Sequence, residues 1–199
     1  TPRLKPFGRR MHGGGTGLRA GVPPKPSAHL VTVEQTFLQM TESPDDPGRT
    51  LPVRALVMRA HRPTASFYRY LYRAVGGPWQ WTDRHRLSDD QLLEAVDHPD
   101  VHVLVLYLDG TPAGYAELDF RNAPDVHLVY FGLMPHAIGT GVGAAFLDRT
   151  VRAAWAEPGA GRLWLTTCSL DHPRALEVYE KAGFEAYRRI ATERPDDAP

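Results

Sequence analysis

Three glycines alternate in Ile138-Gly139-Thr140-Gly141-Val142-Gly143, where an apolar run ending at Met134 gives way to a helical pattern. Glycine admits positive φ and lets a ligand approach the main chain, and the free N–H groups of a helix's first turn hold an anion in the field of its dipole. The loop therefore suits a diphosphate; a tight strand-to-helix turn with no ligand is the plainer reading. A P-loop fails because Val142 and Ala144, not a Lys-Ser/Thr pair, flank Gly143. Gly139, Gly141 and Ala144 satisfy a dinucleotide fingerprint on paper, but that fingerprint normally opens a fold of several crossovers, and the next strand ends without the acid a ribose requires.

Two further groupings carry reactive types. Cys168, Asp171 and His172 bring a thiol, a carboxylate and an imidazole together, the parts of a Cys-His nucleophile, although a cysteine inside an apolar strand ordinarily fills a buried position. Tyr115, Glu117 and Asp119 share one face of a strand whose other face is Ala116, Leu118 and Phe120. Glu117 is central among them and is the candidate base, with a solvent-facing carboxylate as the plain alternative; His127, one strand later, is the reserve. The nine histidines show no H-E-x-x-H or comparable ligand spacing, so no metal is expected.

The elements that must position these residues follow from periodicity. Residues 29–40 and 52–60 read as strands around the turn-rich SPDDPGRT, expected to form a hairpin or to lie side by side. Phe67, Leu71 and Val75 mark a helix over 64–75; Ser88 caps a second, with Gln91 completing a capping box. Between them lies a loop with Trp79, Trp81, Arg84, His85 and Arg86. VHVLVLYL and PAGYAELDF form a hairpin around Asp109-Gly110, and a third strand, DVHLVYFGLM, stops at Pro135. After the glycine loop come a helix through 146–157, the strand RLWLTTCSL, a helix over 174–182 opened by Asp171 or His172 with Pro173 and closed by Gly183, and a last strand FEAYRRIAT. Hairpins plus one strand-helix-strand crossover imply an α/β (α+β) chain with a mixed, mostly antiparallel central sheet and helices on both faces.

Composition narrows the function classes. Lys+Arg and Asp+Glu balance at 23 each in 199 residues, without the basic excess that nucleic-acid binding requires. No run reaches the roughly 18 apolar residues of a membrane span. Cys168 is the sole cysteine, which excludes an internal disulfide and makes the reducing cytoplasm the expected location. Residues 1–29, rich in Gly and Pro with six Lys or Arg, read as a flexible basic tail, residues 30–192 as a single domain and 193–199 as a flexible C-terminus.

From Val126 to Arg188 the chain resembles the GNAT family (GCN5-related N-acetyltransferases). The glycine loop is similar to that family's Q/R-x-x-G-x-G/A cofactor loop, with Ile138 in place of an Arg or Gln. The run His172-Pro-Arg-Ala175-Leu-Glu-Val-Tyr179-Glu-Lys-Ala-Gly183-Phe184 is similar to its later signature, with His172 where Asn is common. The resemblance implies an acetyltransferase that moves an acetyl group from acetyl-CoA to a primary amine of a small molecule or peptide by direct attack. It implies a cofactor site of Phe131, Gly132, Leu133, Ile138, Gly139, Thr140, Gly141, Val142, Gly143, His172 and Tyr179, with the Leu133 amide polarising the thioester and Tyr179 protonating the departing sulfur. It also assigns the loop bearing Trp79, Trp81, Arg84 and His85 to the acceptor, where aromatic walls and cations would suit an amine on a carboxylate-bearing body. A homodimer is left open. The alternatives are an acyl-CoA-binding or sensing module without turnover, and a dinucleotide-binding protein.

Overall fold

The computed structural model describes residues 30–195. The tail expected over 1–29 and the last four residues lie outside them. In chain order the elements are β1 (Leu30–Met40), β2 (Ala55–Arg59), α1 (Ala65–Gly76), α2 (Asp89–Val96), β3 (Val101–Leu108), β4 (Thr111–Asp119), β5 (Asp125–Leu133), α3 (Val142–Trp155), β6 (Arg162–Cys168), α4 (Ala175–Lys181) and β7 (Glu185–Pro195). The seven strands form one sheet in the order β2-β3-β4-β5-β6-β1-β7, and only β5 and β6 run parallel. The mixed, mostly antiparallel sheet with helices on both faces is thus as the sequence implied. β7 continues to Pro195, three residues past the expected domain end.

Alternation along β4 divides the core between the two faces. Ala116 and Leu118 pack with α3 and α4 residues such as Phe146, Val151 and Tyr179, while Tyr115 packs with Tyr68, Leu71, Tyr72 and Val75 of α1 and Leu92 and Val96 of α2. The Ser88 capping box is present, with Gln91 N–H donating to Ser88 Oγ at 3.2 Å and Ser88 N–H donating to Gln91 Oε1 at 2.9 Å. Asp109 and Gly110 both take positive φ in the tight β3–β4 turn. Among the described residues no helix is long and apolar enough to cross a membrane.

One topological expectation is corrected. β1 and β2 neither form a hairpin nor lie side by side: β2 is an edge strand on β3, while β1 sits between β6 and β7 at the other end. The reason lies in the segment joining them, which passes over α3. There the Arg49 N–H donates to Asp148 at 3.1 Å and Arg152 reaches Asp46 at 2.6 Å. β1 buries Val33 on one face and Leu38 and Met40 among the core residues, as an internal strand must, whereas β2 leaves Leu56 and Met58 half exposed at an edge.

Candidate active site

Strand divergence creates the site. β5 and β6 pair only through Asp125, Val126 and His127, and then separate. Met134 N–H donates to Ala113 O at 2.8 Å, so the alternation of an antiparallel ladder turns the Phe131 and Leu133 N–H groups toward the side that β6 has left. A cavity of about 650 Å³ opens there, lined among others by Phe131, Gly132, Leu133, Ile138, Gly139, Gly141, Gly143, His172 and Tyr179. Those nine expected cofactor residues are thus brought together.

The glycine loop meets it as a helix start. Gly139 and Gly141 have φ of 81° and 84°, a conformation L-residues resist, and no atom lies within 4 Å of where a Cβ would stand. Backbone geometry therefore demands glycine at both positions, rather than lack of room. Gly141 caps α3, so the Val142, Gly143 and Ala144 N–H groups lack helical partners. Val142 itself is buried in the core, and Thr140 bends back so that its hydroxyl donates to Ala137 O at 2.8 Å; neither side chain is needed by the cavity. α3 begins at Val142, four residues before the expected start, because the glycine loop supplies its first turn.

Tyr179, 8% exposed, stands edge-on to Phe131 at 6.2 Å. Burial, and then the charge of Asp171, push its hydroxyl above the ordinary tyrosine value, so it stays protonated at neutral pH. Asp171 and His172 do not cap α4, as the sequence had led one to expect: the helix starts after Arg174 without a side-chain cap. Asp171 turns back to accept from Thr167 Oγ1 at 2.9 Å and Cys168 N–H at 2.8 Å, and it also accepts from Trp81 Nε1 at 3.3 Å. With Trp79 edge-on to His172 at 5.2 Å, the tryptophan loop bridges the mouth of the strand divergence.

The same loop is pinned from beneath. Arg84 donates to Glu117 Oε1 at 2.6 Å, the Tyr68 hydroxyl donates to Glu117 Oε2, and Arg69 of α1 donates to the carbonyls of Arg84 at 3.2 Å and Leu87 at 2.7 Å. Glu117 is 1% exposed and is absent from the cavity lining, as are Arg84 and His85. Burial raises the Glu117 pKa, with Arg84 and the Tyr68 hydroxyl pulling the other way. The carboxylate read as central to an open strand face is a buried anchor, and two of the expected acceptor contacts are off the cavity lining: Arg84 turns to Glu117, and His85 is exposed and stands edge-on to Tyr72. Trp79 and Trp81 do line it, together with Tyr72, Tyr130 and Asp83, which sequence reasoning missed. Tyr68 and Tyr72 had a signal, since they flank Leu71 and Val75 on the helical stripe of α1.

His127 also borders the cavity, stacked on Trp164 at 3.7 Å with an interplanar angle of 2°. Burial lowers its pKa to about 4, leaving the imidazole neutral at physiological pH. Cys168 lies on the lining too, at the end of β6.

A family model described as "Acetyltransferase (GNAT) family" matches residues 64–184, more than half of the chain. The chain belongs to the GNAT family. Uncharacterized N-acetyltransferases of Mycobacterium tuberculosis and Mycobacterium bovis are 34% identical over 99 residues, covering 50% of this chain and 62% of theirs. The aligned part is thus less than two thirds of those relatives. Among solved structures, a GCN5-related N-acetyltransferase from Kribbella flavida superposes with a TM-score of 0.58 at 18% identity, over 86% of this chain and 60% of that one. Another from Sphaerobacter thermophilus gives 0.59 at 16%, over 82% and 52%. At these identities the likeness concerns the GNAT fold.

Proposed function

We propose that this GNAT protein transfers an acetyl group from acetyl-CoA to a primary amine by direct attack. The observation that carries the proposal is one cavity reached by the α3 N-terminus, the freed edge of β5 and a protonated Tyr179. The diphosphate lies against the main-chain N–H groups of residues 141–144, since Ile138 offers no charge to it. The pantetheine arm takes the place beside β5 that β6 has left, and the Leu133 N–H donates to the thioester oxygen as negative charge develops there. The amine nitrogen forms its bond to the acyl carbon as the carbon–sulfur bond breaks. Tyr179 gives its hydroxyl proton to the departing sulfur, and the proton lost by the amine passes to a base in the cavity wall.

Glu117, enclosed by Arg84 and Tyr68, fits a positioning role better than a base role; His127, neutral and on the wall, can relay the amine's proton to solvent but, with its pKa lowered to about 4, does not hold it. The test is release of free CoA from acetyl-CoA across an amine panel. Amine-dependent release that falls in Tyr179→Phe supports the proposal. Binding of acetyl-CoA with no turnover on any amine would make the protein a binding or sensing module instead.

A further inference from the structure

The cavity narrows where β5 and β6 come together at His127 and Trp164, and its lining there continues past Thr166 of β6 onto Val33 and Gln35 of β1 and Thr192 of β7. A cosubstrate entering at the glycine loop, the end at which the strands are apart, points its acyl carbon toward this narrow end. An acceptor therefore meets that carbon over β6 and β1. β1 lies outside the matched family region, which begins at residue 64, and it reaches the site because it is inserted between β6 and β7. Gln35 pairs with Cys168 and Phe37 with Thr166, so Gln35 and Thr166 stand diagonally on one face of the sheet. The other face, with Leu38 and Leu165, packs with α3 and α4, whereas the core cluster beneath α1 and α2 includes no residue of β6 or β1.

On this floor Gln35 and Thr166 are half-buried, line the cavity and make no side-chain hydrogen bond to any described residue. Beside them the Thr192 hydroxyl reaches Val33 O only at 3.5 Å. His127, neutral near neutrality and stacked flat on Trp164, presents a ring edge with one donor and one acceptor. Amide, hydroxyl and imidazole here share a property: each both gives and takes hydrogen bonds without carrying charge. A hydroxyl group on the acceptor matches them in both roles. A hydrocarbon body would displace water from the same groups and leave them unpaired, which a half-buried polar wall disfavours.

Building on the acetyltransferase reading, we infer that the acceptor is a hydroxylated primary amine, of the amino-sugar or amino-alcohol kind, whose hydroxyls are bound by Gln35 and Thr166 on the β6–β1 floor. The two are specificity residues, and β1 carries one of them into the site from outside the matched region.

The experiment has two stages, so that the two readings fail separately. Calorimetry with acetyl-CoA comes first: no heat from folded protein, or binding without turnover of any amine, removes the acetyltransferase reading and this inference with it. Acetylation is then measured for D-glucosamine against cyclohexylamine and for serinol against isopropylamine, pairs of similar skeleton that differ in their hydroxyls. The expected result is kcat/KM at least about tenfold higher for the hydroxylated amine in at least one pair. Gln35→Leu and Thr166→Val should each raise the KM of that amine about fivefold, leave the acetyl-CoA KM unchanged and shrink the preference. Both amines of a pair meet the same variant, so the change in preference is independent of their different basicities. Thr166→Val keeps the β-branched shape a strand favours, and it decides the matter alone if Gln35→Leu does not fold. No preference for the hydroxylated amine in either pair, or an unchanged KM for it in either folded variant, overturns the inference and leaves the acetyltransferase reading standing.

Discussion

Replacing Arg84 with Met separates an anchoring role for Glu117 from a catalytic one. The guanidinium is 15% exposed and its carboxylate partner 1%, so neither is in bulk water and the pair falls among buried ion pairs. Removing one member of such a pair leaves an uncompensated charge and costs about 3–5 kcal/mol. The lower end applies, because the Tyr68 hydroxyl still donates to the carboxylate and because Glu117 can take up a proton. About 3 kcal/mol corresponds to a fall of roughly 6–12 °C in Tm for a chain of this size. The pH dependence has a definite sign. Burial raises the folded pKa of Glu117 above its ordinary 4.5, and removing Arg84 takes away the largest charge that opposes that rise. The protonated acid is tolerated below the unfolded value, so the deficit of Arg84→Met against wild type is smallest below about pH 4.5 and grows as pH rises through the folded pKa. Glu117→Leu combined with Arg84→Met removes both charges and recovers most of the lost Tm. Thermal melts from pH 4 to 8 measure all three variants, and amine KM in Arg84→Met should rise more than acetyl-CoA KM, since the loop bearing Trp81 and Asp83 loses its tether. A Tm for Arg84→Met within about 1 °C of wild type would refute the reasoning. So would a Glu117→Gln variant that keeps its Tm but loses turnover together with one limb of the pH–rate profile, which is the behaviour of a base.

Three further outcomes follow from the site. His127, with its folded pKa lowered to about 4, contributes stability that is present above pH 6.5 and lost as pH falls toward 4, by at most roughly 3 kcal/mol. An NMR titration of its imidazole should show a midpoint near 4, and a midpoint at the ordinary 6.5 would contradict its burial. Tyr179→Phe keeps the ring against Phe131 but removes the proton donor, so kcat should fall about a hundredfold with acetyl-CoA affinity unchanged; undiminished kcat would remove Tyr179 from the chemistry. Trp81→Phe removes the 3.3 Å bond to Asp171 while retaining an aromatic wall, and steady-state kinetics should show amine KM rising about fivefold, the value of one hydrogen bond near 1 kcal/mol. An unchanged amine KM would mean that the bridge across the cleft plays no part in acceptor binding.

What could be read in advance was mainly local. The Asp109-Gly110 turn, the Ser88 box and the Gly139/Gly141 alternation are decided by neighbouring residues, and all three stand as the sequence implied. The place of β1 was not legible, because a strand's partners depend on pairings with residues more than a hundred positions away, such as Gln35 with Cys168 and with Ile190. Glu117 was misread for a related reason: alternation identifies which face a side chain is on, but not whether a helix covers that face. α1 does cover it, and Tyr68 and Arg84 then complete a polar cluster whose members are 49 and 33 residues away. The tryptophan loop met the same limit, since nothing local says that Arg84 turns inward to β4 while Asp83, one residue earlier, lines the cavity.

The proposed activity requires acetyl-CoA to occupy the opening between β5 and β6 with its diphosphate on the glycine loop. Isothermal calorimetry of acetyl-CoA against wild type and Gly141→Val tests this directly. One-to-one binding by wild type that is much weakened in a folded Gly141→Val variant is the predicted result, because valine resists the φ of 84° that presents the α3 N–H groups. No heat with wild type, or equal affinity in the two proteins, would contradict it.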